Sequence, residues 1–182
     1  MKKVSVFFAD GYEEIEALTV VDVLRRAGVH TDMVSVTGNL EVTGAHQIVI
    51  TTDIRFEEMD FEDTVMLVLP GGMPGTLHLQ EHEGLCTLLR AYDKEKKQIA
   101  AICAAPSVLG GLGILNGKKA CCYPGFEEKL TGAEVVMEPA VADQNVVTGR
   151  GMGTAIPFAL KLTEILCGEE KAEEIKASIL FE

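Results

Sequence analysis

The chain is short of positive charge. It carries 16 lysines and arginines against 28 aspartates and glutamates, a formal net charge of -12. A general nucleic-acid binder needs a basic footprint, and no basic run or RNA-binding signature occurs. Specific nucleic-acid binding is therefore not expected, and the surplus acid is read as serving solubility. Long hydrophobic runs are also missing. No stretch approaches the roughly 20 apolar residues of a membrane span, so no membrane partner is expected. The apolar run in "MKKVSVFFADG" is too short for a signal peptide and is interrupted by Asp10. The cysteine pattern is equally exclusive. Cys86, Cys103, Cys121, Cys122 and Cys167 are odd in number and contain no C-x-x-C. Free thiols in a reducing cytoplasm are expected rather than a disulfide framework. No His/Cys cluster has zinc-finger spacing. Adjacent Cys121 and Cys122 would point to opposite faces of a strand. No metal is expected.

What is present is an alternation of strand and helix signals over a length of 182 residues, which suits a single domain over 1–182. "KKVSVFF" reads as a buried strand. "YEEIEALTVVDVLRRAG" has Ile15, Leu18, Val20 or Val21, Leu24 and Ala27 at helical spacing, with acids at its start, arginines near its end and Gly28 closing it. "HTDMVSV", "TVMLVLPGG", "QIAAIC" and "KKACCYP" read as further strands, and "EVTGAHQIVITTD" as an excursion of short strands. "GTLHLQEHEGLCTLLRAYDKEKK" is one helical region and "PSVLGGLGIL" another helix. "VVTGRGMGTAIPFALKLTEILCG" is a strand, a glycine-rich loop and a long helix, and "EEKAEEIKASIL" is a terminal helix. This pattern predicts an α/β fold with a mostly parallel sheet and helices on both faces. Ligands in such sheets bind at the carboxyl ends of the strands. Three unusual loops fall on that edge: "ADGYEEIE", "LPGGMPG" and "ICAAPS".

The loops bring chemistry together. Cys103 ends a strand and Pro106 opens a helix three residues later. A cysteine just ahead of a helix N-terminus is expected to favour thiolate, and small Ala104 and Ala105 would let a substrate approach. Gly71 and Gly72 leave backbone N–H groups uncovered beside it, as oxyanion donors. Glu16, in the first turns of a helix at the same edge, is the candidate acid/base if burial raises its pKa. Glu13 and Glu14 are read as solvated helix-start acids. Among the histidines, His78 and His82 stand at i and i+4 on one predicted helix but lack the H-E-x-x-H arrangement. They and His30 and His46 are read as solvated or packing residues, and none is adjacent to Cys103. "TGRGMGTA" is not G-x-G-x-x-G and is read as a packing or oligomer contact rather than a nucleotide site.

"ADGYEEIEALTVVDVLRRAG", "VLPGGMPG", "AAICAAPSVL" and "TGRGMGTAIPFALKL", in this order and spacing along nearly the whole chain, resemble the ThiJ/PfpI superfamily and, within it, the DJ-1 branch with its bacterial members. The resemblance implies a flavodoxin-like three-layer α/β/α sandwich and a homodimer. It implies Cys103 as the oxidisable nucleophile, Glu16 as the carboxylic acid hydrogen-bonded to it, and Gly71 and Gly72 as backbone donors. Two departures matter. Protease-like members place a histidine directly after the cysteine, where this chain has Ala104, which counts against a peptidase. Some members carry a histidine in the segment aligned with "CCYPG", where this chain has Tyr123; a phenol donates a hydrogen bond but is a poor base at neutral pH.

The expected function is a cofactor-free, glutathione-independent glyoxalase or deglycase. It would act on methylglyoxal or early glyoxal adducts through Cys103, Glu16 and oxyanion donors near Gly72 and Ala104, with Tyr123 as auxiliary. The alternatives are an oxidative-stress sensor working through a Cys103 sulfinate, or a redox-regulated chaperone without turnover. The expected partners are a small reactive aldehyde or glycated substrate and a second copy of the chain. The first helix and Gly151–Gly153 are the candidate dimer contacts.

Overall fold

Val4, Val6 and Phe8 face one way along the first strand and Phe7 the other, and all four are buried. A strand apolar on both sides needs a layer on each face. The structure, a computed structural model describing residues 2–182, supplies both layers. In chain order it runs β1 (Lys3–Phe8), α1 (Glu14–Arg26), β2 (His30–Ser35), the hairpin β3 (Glu41–Thr43) and β4 (Val49–Thr51), β5 (Ile54–Arg55), β6 (Thr64–Leu69), α2 (Gly75–Glu81), α3 (Glu83–Lys94), β7 (Gln98–Ile102), α4 (Pro106–Gly111), β8 (Lys119–Ala120), β9 (Glu134–Val135), β10 (Ala140–Asp143), β11 (Val146–Gly149), α5 (Ala155–Cys167) and α6 (Glu169–Ser178).

The main sheet has seven strands in the order β10-β11-β7-β6-β1-β2-β5. Every neighbouring pair is parallel except β10–β11. One face packs on α1, α5 and α6 through Val20, Leu24, Phe158, Leu162 and Ile175. The other packs on α2, α3 and α4 through Leu79, Leu85, Leu89, Val108 and Leu109. Burying an aromatic such as Phe158, which is fully covered, contributes about 2–3 kcal/mol. This is the flavodoxin-like sandwich. The chain leaves β1 for β2 on one side and returns to β6 on the other, so the sheet's direction switches between β1 and β6. Crevices for ligands form at such switch points, and the loops after β1, β6 and β7 meet there. Among the described residues, no helix is long and apolar enough to cross a membrane.

Four local expectations are corrected. Ile15, assigned to the core face of α1, is 52% exposed; at this end of the helix Glu14 and Glu16 take the inward positions. Residues 75–97 do not form one helix. The chain is extended at His82, whose Nδ1 caps α3 by accepting the Leu85 N–H, so His78 and His82 do not share a helix face. "KKACCYP" supplies only the short β8, which pairs with β9 outside the main sheet. Beyond it Cys121 N–H donates to Thr148 Oγ1 and Tyr123 N–H to the Cys103 carbonyl, which fastens the segment to the edge of the site. Cys121 and Cys122 therefore do not alternate across a strand, and both are buried.

Candidate active site

Cys103 directly follows β7. Its N–H donates to the Gly149 carbonyl at 2.9 Å and its carbonyl accepts the Tyr123 N–H at 2.8 Å. Held between β11 and the 121–124 segment, it adopts φ +66, a left-handed conformation that costs a non-glycine residue on the order of 1 kcal/mol or more. The thiol is thereby turned into a cleft of about 650 Å³ whose walls include Glu16, His46, Gly72, Ala104, Tyr123 and Arg150. Cys86, Cys121 and Cys122 are buried elsewhere, and Cys167 is exposed at the end of α5.

Glu16 reaches the same cleft from the first turn of α1 and is 1% exposed. Its Oε2 accepts the Gly71 N–H at 3.0 Å, and its side chain hydrogen-bonds Cys103. Oε1 is buried with no partner and lies on the Gly151 side of the cleft. The start of α1 is seated on the glycine turn after β6, because the Glu13 N–H donates to the Gly71 carbonyl. Gly72 has φ +93, and a Cβ there would lie 2.3 Å from Glu13 N. Only glycine meets both demands. Of the two glycines, Gly71 directs its N–H to Glu16, while the N–H groups of Gly72 and Ala104 face the Cys103 sulfur.

The electrostatics differ from the expectation of a helix-activated thiolate. Burial pushes Glu16 up to about 7, against the opposing pull of its hydrogen bonds from Cys103 and Gly71. Burial and then the Glu16 charge push Cys103 up to about 12, and only the Ala104 and Gly72 N–H groups pull the other way. Glu16 is therefore the group that changes charge near neutrality, and because like charges in contact disfavour each other, a thiolate at Cys103 requires the proton to sit on Glu16.

Tyr123 is half-exposed, with its ring against Gly151. Glu14, read from sequence as solvated, is 3% exposed. Its Oε1 accepts the His46 N–H at 2.8 Å and its Oε2 lies 2.9 Å from His46 Nδ1, with Glu13 Oε2 at 3.7 Å from the same nitrogen. Burial alone would raise Glu14, but the His46 contact and surrounding backbone N–H groups outweigh it and hold the carboxyl low. Among the described residues, Glu13, Glu14 and His46 form the one group with ligand atoms close enough to share a cation. Both Glu14 oxygens, however, are already engaged by His46. Sequence reasoning missed this pair, whose members stand 32 positions apart with no motif joining them. The other histidines are accounted for locally: His30 by Asp32, His78 by the Asp10 carbonyl, His82 by its cap.

A cysteine-bearing strand end, a glycine turn and a buried carboxyl thus meet at one switch point, in a chain similar to known proteins over most of its length. The model of the DJ-1/PfpI family matches residues 2–165. The chain belongs to the DJ-1/PfpI family. It is 36% identical over 181 residues to protein dj-1beta of Drosophila melanogaster, covering 98% of this chain and 97% of that one. It is 37% identical to DJ-1 homolog B of Arabidopsis thaliana over 99% of this chain but only 42% of the plant protein. It thus spans less than half of that relative. Among solved structures, oxidised DJ-1 of Toxoplasma gondii superposes with a TM-score of 0.96 at 35% identity, covering 100% of this chain and 99% of that one. Drosophila DJ-1beta superposes with 0.95 at 36% identity, covering 100% and 98%.

Proposed function

We propose that the chain is a cysteine-dependent, glutathione-independent glyoxalase or deglycase, taking methylglyoxal or an early glyoxal adduct. The observation that supports it is Glu16, buried in hydrogen-bond contact with Cys103 and raised to about 7, where it both gives and takes a proton at physiological pH. The Cys103 thiolate adds to the aldehyde carbon, and the resulting oxyanion meets the N–H groups of Gly72 and Ala104. Gly71 acts by holding Glu16. Glu16 then moves a proton from the aldehyde-derived carbon to its neighbour through an enediol. The resulting thioester is hydrolysed to lactate, so that methylglyoxal and water are consumed and the thiol is regenerated. Tyr123 is an auxiliary hydrogen-bond donor at the mouth. Ala104, in place of a histidine, leaves peptidase chemistry without its base. Ile15, Ile48 and Val49, each more than half exposed, support a homodimer.

The test is lactate formation from methylglyoxal without glutathione, in wild type, Cys103→Ser and Glu16→Gln. The expected result is complete loss in the cysteine variant and a loss of about 10²–10⁴-fold in the glutamine variant. Full turnover in Cys103→Ser overturns the reading.

A second reading, peroxide sensing, rests on the same geometry. Cys103 opens into the cleft while three of the other thiols are buried. Dilute peroxide should then add two oxygens at Cys103 in preference to exposed Cys167, as read by peptide mass spectrometry.

A further inference from the structure

The turn between β3 and β4 forms one wall of the cleft, and the reason it stands there is Glu14. The Gly11 N–H donates to the Thr43 carbonyl and the Ala45 N–H to the Tyr12 carbonyl, both at 2.8 Å. Asp10 Oδ1 accepts the Thr43 N–H. The Glu14 carboxylate completes the attachment by gripping His46 at both its backbone N–H and its Nδ1. Gly44 makes room for this, because a Cβ at that position would lie 2.2 Å from Glu14 Oε1. A buried carboxylate accepting from Nδ1 fixes the tautomer and orientation of an imidazole and leaves Nε2 as its working atom. His46 lines the cleft that Cys103 and Glu16 line.

We propose that His46, positioned by Glu14, is a second proton-transfer group of this cleft. The inference rests on the glyoxalase reading and deepens it. Converting an α-oxo aldehyde to a hydroxy acid requires proton movements at two carbons and at both of their oxygens. Glu16, with one oxygen bound to Gly71, serves the carbons. As it removes the proton from C1 of the hemithioacetal, the electron pair becomes the C1–C2 π bond. The C2 carbonyl oxygen then takes a proton from the His46 imidazolium. In the return step C2 takes the proton from Glu16, the C1 hydroxyl gives its proton to His46, and the C1=O of the thioester forms. Both groups end as they began.

The groups facing the ring are Glu14 and Glu13 from the start of α1. Across the cleft stand Glu16, Cys103, Tyr123 and Arg150. The Glu14 hydrogen bond and then the Glu13 charge raise His46 above its ordinary value, which keeps imidazolium available near neutrality.

The deciding experiment is the pH profile of kcat and kcat/KM for methylglyoxal in wild type, His46→Ala, His46→Gln and Glu14→Gln. The His46 variants should lose about 10²-fold in kcat with little change in KM, lose the alkaline limb of the wild-type profile, and, for His46→Ala, recover with added imidazole. In Glu14→Gln the alkaline limb should move to lower pH, because the charge that raises His46 is gone. Wild-type turnover that survives in both His46 variants with an unchanged profile overturns this inference and leaves the glyoxalase reading intact. Absence of wild-type turnover overturns both.

Discussion

The Gly71 N–H donates to Glu16 Oε2 at 3.0 Å, and the same glycine stands where a Cβ would lie 2.6 Å from Cys103 Cβ and 2.6 Å from that carboxylate oxygen. Acid and nucleophile are in contact because the residue between them has no side chain. Gly71→Ala should push them apart. Ile102 O, 2.9 Å from the same point, belongs to the end of β7 and cannot yield. The expected cost is about 1–3 kcal/mol in urea unfolding, with a fall in lactate formation larger than the stability loss explains. Wild-type turnover in this variant would mean that the contact is not needed.

Glu16 also makes folding pH-dependent in an identifiable direction. Its pKa rises on folding, from an ordinary 4.5 to about 7. Below pH 4.5 the acid is neutral in both states and the folded form bears no penalty. As pH rises towards 7, the unfolded chain releases the proton first and stability falls. The shift corresponds to about 3 kcal/mol. Thermal unfolding of wild type and Glu16→Gln across pH 4.5–7.5 should show wild type losing ground steadily against the glutamine variant. A constant difference would refute the buried-acid assignment.

The left-handed backbone at Cys103 predicts an ordering of substitutions. Cys103→Ala removes sulfur but keeps a Cβ at φ +66. Cys103→Gly removes sulfur and relieves the strain. The glycine variant should be the more stable by about 1 kcal/mol, against the usual cost of glycine. Chemical denaturation of the two variants decides it.

Far from the cleft, Lys118 is 4% exposed, and its ammonium reaches the Ile114 carbonyl at 2.5 Å and Asp93 Oδ1 at 3.3 Å. Asn145 donates to the same Asp93 oxygen. Asp93→Ala leaves the ammonium covered without its counter-charge and should cost about 3 kcal/mol. Lys118→Met removes the charge itself and should cost less. The reverse order in urea unfolding would show that Lys118 escapes to water in the aspartate variant.

The flavodoxin-like architecture was legible because strands such as Lys3–Phe8 and Gln98–Ile102 are apolar on both faces and are separated by helix-period segments. Hydrophobic period is a local property. Cys103, Glu16 and the Gly71–Gly72 turn were legible for a related reason: each lies at a strand end or helix start, and a parallel sheet carries such points to one edge. Ile15 misled because periodicity does not say which residues of a first turn are claimed by a polar site.

The sequence by itself determined the fold class, the family and the edge where chemistry gathers, since these follow from short-range pattern and motif order. Tertiary structure alone decided the proton balance. It buried Cys103 against Glu16, so that burial and then the carboxyl charge, rather than a helix dipole, govern the thiol. It also brought Glu14 and His46 together across 32 positions. Burial and through-space charge set both outcomes, and neither is encoded in the neighbours of a residue along the chain.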